Sequence, residues 1–167
     1  MVSASPHLAQ LNVARFKAPP GDPVLADFMA ALDPINAIAD EAPGFVWRLQ
    51  TDEGNATSIH AYDDDLMLVN MSVWESVEVL ADYVYSSPHL DIMRRRREWT
   101  TRLPEQHICL WWIPAGSLPA VEEAVERLES LRENGPTPYA FTFKKRFSPD
   151  EAAVASPGEE DRWFCPA

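Results

Sequence analysis

Side-chain periodicity along this chain alternates between the two-residue repeat of a strand and the longer repeat of a helix, in the order β-α-β-β-α-β and then α-β. Few architectures accept that order. Residues 7-HLAQLNVARF-16 alternate, with Ala9, Leu11 and Val13 on one face and Leu8, Gln10, Asn12 and Ala14 on the other. After the breaker 17-KAPPGDP-23 a helix starts, with Asp22 as N-cap and Pro23 in its first position. Its apolar stripe is Leu25, Phe28, Met29, Leu32, Ile35 and Ala39; Asp33-Pro34 kinks or restarts it, and Pro43-Gly44 ends the connection. There follow a strand over 44-GFVWRLQ-50, a polar stretch 51–65 with a short strand around Ile59 to Tyr62, and the strand 66-LMLVNMSV-73. Ser72 or Ser76 caps the next helix, Ser87-Pro88 opens another, and 107-HICLWWIP-114, apolar on both faces, reads as a buried strand. Ser117 caps an amphipathic helix carrying Val121, Ala124, Val125, Leu128 and Leu131 and closed by Gly135, and the last strand is 140-AFTFKKRF-147.

The first six elements spell the split βαβ plan, so the expected class is α+β: a ferredoxin-like βαββαβ with an added C-terminal helix and strand. Helices cover one face of such a sheet. A chain that is 46% hydrophobic does not leave the other face wet, and two copies packed sheet to sheet, as a dimeric α+β barrel, would cover it. Residues 1–147 form this single domain, and 148–167, acidic and containing Pro and Ala, form a flexible tail.

The formal net charge of −12 argues against a nucleic-acid or anionic-membrane partner, since both need a positive surface. No apolar run is long enough to span a bilayer, and the N-terminus lacks the basic-then-apolar pattern of a signal peptide. Two cysteines, Cys109 and Cys165, do not make a disulfide framework and suit a reduced compartment. A cytoplasmic location is expected.

The stretch 69-VNMSVWES-76 is the chemical puzzle. Met67, Val69, Met71 and Val73 give one apolar face, while Asn70, Ser72 and Trp74 put an amide, a hydroxyl and an indole N–H on the other. Buried, each needs a partner. The plain alternative is that Ser72 is a cap and Trp74 core, as Trp47, Trp111 and Trp112 can be. His89 falls in the first turn of a helix and shares a stripe with Ile92, Met93, Arg96 and Trp99; a lowered pKa there suits a neutral base. Its alternative is a satisfied structural histidine. The run 94-RRRR-97 covers every face of one turn, so most of it pairs with surface carboxylates while Arg96 or Arg94 reaches inward to hold an anionic oxygen. His7, His60, His89 and His107 lack metal-ligand spacing, and no phosphate loop, nucleophile elbow or calcium loop occurs. No metal and no cofactor is expected.

The motifs 44-GFVWRL-49, 69-VNMSVWES-76, 87-SPHL-90, 94-RRRREW-99 and 111-WWIPAG-116 resemble a bacterial family known only as a domain of unknown function, over about Leu8 to Phe143. That family is similar, more loosely, to the antibiotic-biosynthesis monooxygenases of the dimeric α+β barrel superfamily. The resemblance implies a ferredoxin-like protomer paired sheet to sheet, with a pocket between sheet and helices. It implies that Asn70 and Trp74 line that pocket, that His60 matches an upstream histidine, and that Arg94 or a neighbour matches a pocket arginine. The family's helix tyrosine is replaced by Leu80, with Tyr83 or Tyr85 nearby. For the haem-degrading members of the superfamily, Asn12 matches the strand asparagine, but Met93 stands where the iron-binding histidine belongs.

Together these readings point to a homodimer acting on a small, flat, aromatic or polyketide-like molecule by cofactor-independent oxygenation. The expected catalytic residues are His89, Asn70, Arg96 and His60; the expected substrate-binding residues are Trp74, Asn12, Ser72, Trp47, Arg94, Tyr83 and Trp112. A cyclase or isomerase on the same fold, or a binding protein without turnover, are the alternatives.

Overall fold

The computed structural model describes residues 4–50 and 61–155. Strand β1 (His7–Phe16) leads through a 3₁₀ turn (Pro23–Leu25) into helix α1 (Ala26–Glu41). Asp22 caps this entry as its spacing predicts, accepting from the Val24 N–H at 3.0 Å. Pro34 does not restart the helix, which runs through it to Glu41. Then come β2 (Phe45–Arg48), β3 (Met67–Trp74), α2 (Val77–Val84), α3 (Ser87–Arg95), β4 (Thr100–Thr101), β5 (Ile108–Ile113), α4 (Val121–Asn134) and α5 (Pro149–Ala155).

The sheet order is β2-β3-β1-β5, with every pair antiparallel and the short β4 continuing along the far end of β1. Two helical crossovers with that order make the fold ferredoxin-like α+β. Ser76, not Ser72, caps α2, accepting from the Val79 N–H at 3.3 Å. The alternation of β1 sorts the core as predicted. Ala9, Leu11 and Val13 join Val69, Met71 and Val73 of β3 and Cys109 and Trp111 of β5 in one buried cluster.

That cluster departs from expectation in what covers it. Ala124, Leu128 and Leu131 of α4 are buried in it. The face expected to seek a second copy is roofed by the chain's own helix, and Leu11, Val69 and Trp111 are already 0% exposed in one chain. Within one chain this face is therefore already covered.

Three C-terminal expectations also change. Ser117 does not cap α4; its hydroxyl donates to the Pro114 carbonyl, and Ala120 holds the cap position without a side-chain bond. The strand 140–147 reduces to the Leu110–Phe141 bridge, because the chain reverses at Thr142–Lys145, with main-chain and Thr142 hydroxyl bonds closing the turn. The tail is not unstructured from Ser148: the Glu151 N–H donates to the Ser148 hydroxyl and the Ser148 N–H to the Glu151 carboxylate, a reciprocal capping box that starts α5. No helix among the described residues is long and apolar enough to cross a membrane.

Candidate functional site

The opposite sheet face holds the polar positions of β1 and β3. The register sets Gln10 against Ser72 and Asn12 against Asn70. Helices α1, α2 and α3 stand over this face and leave a cavity of about 350 Å³. A space of that size suits a small organic molecule. Its floor runs from Gln10 and Ser72 past the two asparagines to Ala14 and Leu68, and its roof includes Phe28, Leu32 and Ile35 of α1 and Met93 of α3.

Trp74 is 1% exposed and donates its indole N–H to Ser72 Oγ at 2.8 Å, and Ser72 donates to Gln10 Oε1 at 2.9 Å. Two of the three polar groups on this face of β3 therefore satisfy one another through a glutamine on the next strand. Asn70 is different: it is exposed to the cavity, and neither its amide nor that of Asn12 makes a side-chain hydrogen bond among the described residues. The expectation that Asn70 is buried fails because the helices do not close over that position.

Aromatic rings build one end wall. Phe45 meets Trp74 edge-on at 5.3 Å, Tyr83 stacks on Trp74 at 5.0 Å and 26°, and His89 follows at 5.0 Å from Tyr83. The Tyr83 hydroxyl donates to the Ile35 carbonyl at 3.3 Å. Burial and the nearby Asp40 carboxylate push its pKa up to about 12, so it stays a neutral phenol. His89 Nδ1 lies 2.9 Å from the Val84 carbonyl. A carbonyl only accepts, so Nδ1 carries the hydrogen and, in the neutral ring, Nε2 carries the lone pair. Burial lowers the His89 pKa, with the Val84 bond opposing it. The direction matches the sequence reading, but burial, rather than the helix N-terminus, is the main cause.

The remaining predicted residues separate. Arg96 lines the cavity and donates to the Met93 carbonyl at 2.9 Å. Arg94 does not; it is 70% exposed and 3.6 Å from Asp91. Trp47 packs into the α4-side core, because a register shift between Phe45 and Trp47 puts these two residues on opposite faces. Phe45 takes the wall position instead. Trp112 faces the helix side but is shut off by the C-terminal segment, its Nε1 donating to the Phe147 carbonyl at 2.8 Å. His60 lies outside the described residues. Tyr85 is 58% exposed.

Sequence reasoning passed over Gln10, Phe45, Trp99, Arg97 and His107, all of which line the cavity. Gln10 carried a signal, since it alternates in register with Asn12. Trp99, with Phe16 and Leu25, forms a buried cluster that includes Phe28 and closes the far end. Among the described residues, no group of three or more His, Cys, Asp and Glu could hold a metal ion.

Residues 7–157 match the model of a domain of unknown function (DUF3291). No curated protein matches the chain. Among solved structures it is similar to SnoaB, a cofactor-independent oxygenase from Streptomyces nogalater, at 19% identity over 70% of this chain and 100% of that one, with a TM-score of 0.45. It is also similar to a protein of unknown function from Nitrosomonas europaea, at 18% identity over 70% and 98% of the two chains and a TM-score of 0.45. A protein from Shewanella oneidensis is similar at 7% identity over 65% and 92%, with a TM-score of 0.49. The strand order, rather than these likenesses, identifies the fold.

Proposed function

This chain belongs to the DUF3291 family of unknown function, and we propose that it is a small-molecule enzyme that oxidises a phenolic or polyketide-like aromatic compound with dioxygen, without a cofactor. The observation that carries the reading is the geometry of His89. Its Nδ1–H is tied to the Val84 carbonyl, its pKa is lowered by burial, and it ends an aromatic wall beside a cavity. Such a ring is neutral at neutral pH and offers Nε2 as a general base.

In this reading a flat phenol lies along the Phe45–Trp74–Tyr83 wall. His89 Nε2 takes the hydroxyl proton, and the Asn12 and Asn70 amides donate to the phenolate oxygen. The electron-rich ring reacts with dioxygen at a C–H carbon to give a hydroperoxide. Loss of water leaves a quinone: phenol plus dioxygen gives quinone plus water. The apolar roof limits water around the anion. Tyr83, held neutral and hydrogen-bonded to Ile35, supports the wall and donates no proton. The wall, the base and both amides come from one chain, so a second copy packed elsewhere would leave the site complete.

Oxygen uptake on hydroxynaphthalenes and anthrones tests this. The wild type consumes one dioxygen per product, and His89→Ala lowers the rate by about 10²-fold or more, the usual size of a general-base effect. Product formed without oxygen uptake would make the chain a cyclase or isomerase. Binding without product would make it a binding protein.

A further inference from the structure

The chain carries 26 Asp and Glu against 14 Lys and Arg, yet among the described residues no Asp or Glu lines the cavity. Arg48, Arg96 and Arg97 do, with His89 and His107. In so acidic a protein a lining without carboxylates and with three arginines makes the cavity locally richer in positive charge than the chain as a whole.

The arginines differ in how they are engaged. Seven, from Arg15 to Arg146, have a carboxylate within 4.0 Å, and Arg48 is one of them through Asp40. Arg96 has only the Met93 carbonyl, and the Arg97 guanidinium makes no hydrogen bond or ion pair among the described residues. Arg97 contributes its own carbonyl to Lys17. Arg102, which also has no carboxylate partner, does not line the cavity. Of the three arginines at the cavity, Arg96 and Arg97 are thus cations without a carboxylate partner among the described residues. His89 and Arg96 are seven residues apart, close to two helical turns and about 10 Å along the axis. His89, at the end of the aromatic wall, and Arg96 are therefore set apart along the cavity.

We propose that Arg96 and Arg97 bind a carboxylate, so that the ligand is an aromatic acid with an ionisable hydroxyl at one end and a carboxylate at the other. This deepens the reading of the His89 site and rests on it only for the position of the hydroxyl. The planar guanidinium fork matches a carboxylate, and a cation without a protein counter-ion has no internal pair to break when the ligand arrives.

The test uses 6-hydroxy-2-naphthoate and its methyl ester, which keep the ring and hydroxyl and differ at the distal end by loss of the charge and addition of a methyl group. Calorimetry on the full chain is expected to show the acid binding about tenfold tighter than the ester or better. Arg97→Gln and Arg96→Gln each bring the acid toward the ester's affinity and leave the ester unchanged, and added salt weakens only the acid. Both side chains are exposed, so the melting temperatures of the variants stay near wild type. Equal binding of acid and ester, or variants that weaken both alike, overturns the carboxylate site. Acid-selective binding without oxygen uptake supports the carboxylate site and ends the oxygenase reading. No binding of either probe overturns both.

Discussion

Trp74 donates its indole N–H to the Ser72 hydroxyl at 2.8 Å, two residues back on the same strand face. The hydroxyl is in turn fixed by Gln10, so the direction of this short chain is set: indole to hydroxyl to amide. Ser72→Ala leaves a buried indole N–H unpaired. Denaturant unfolding is expected to show a loss of about 1–3 kcal/mol. Gln10→Ala costs less, since cavity water can take the place of the amide oxygen. A neutral Ser72→Ala would mean that the indole finds water, and that the cavity reaches further behind Trp74 than the structure indicates.

Asn70 behaves in the opposite way. Its side chain is exposed and has no bond to lose. Asn70→Ala is expected to change stability by no more than about 0.5 kcal/mol while weakening the binding of a phenolic probe. Asn70→Asp places a carboxylate beside the developing phenolate and lowers turnover further. A large stability loss with affinity intact would make Asn70 structural.

His89 gives the fold a pH dependence whose sign is fixed by burial. Its folded pKa lies below the ordinary 6.5, so at pH values between the two the unfolded chain binds the extra proton. Its contribution is full above 6.5 and is lost as the pH falls through the folded pKa. The melting temperature is expected to drop between about pH 7.5 and pH 5 more in the wild type than in His89→Asn. Equal slopes would show that His89 is solvated.

Some of this was legible in the sequence and some was not, for physical reasons. β1 and β3 alternate without interruption, so their faces, and with them Asn12, Asn70, Ser72 and Trp74, could be read directly. β2 could not be: the shift between Phe45 and Trp47 depends on how β2 pairs with β3, and a one-residue slip exchanges faces. The stripe of α4 is clear, but periodicity names the apolar face and not what it covers, so the packing of α4 on this sheet face is not legible in the sequence. Ser148 and Glu151 had capping-box spacing that the acidic composition obscured. Arg97 was hidden in a run of four identical residues, where only the exit from α3 into a 3₁₀ turn separates it from Arg94.

Gly44 tests the packing of α2 on the connection into β2. It has φ +80°, and a Cβ there would come within 2.5 Å of the Val79 side chain. Gly44→Ala combines a disfavoured backbone with an overpacked contact and should cost about 2–4 kcal/mol. Adding Val79→Ala relieves the contact and should recover part of the loss beyond additivity. Additive losses would show that the backbone conformation alone is at fault.

Proton transfer from a bound phenol to His89 is the central claim, and the visible absorbance of 4-nitrophenol reads it directly. The account predicts that saturating wild-type protein lowers the apparent pKa of the bound probe by about one unit or more, because imidazolium and two amides stabilise the anion. His89→Ala should remove most of the shift, the Asn12 and Asn70 amides retaining the remainder. A bound phenol that ionises at its ordinary pH, or at a higher one, in the wild type would contradict the account.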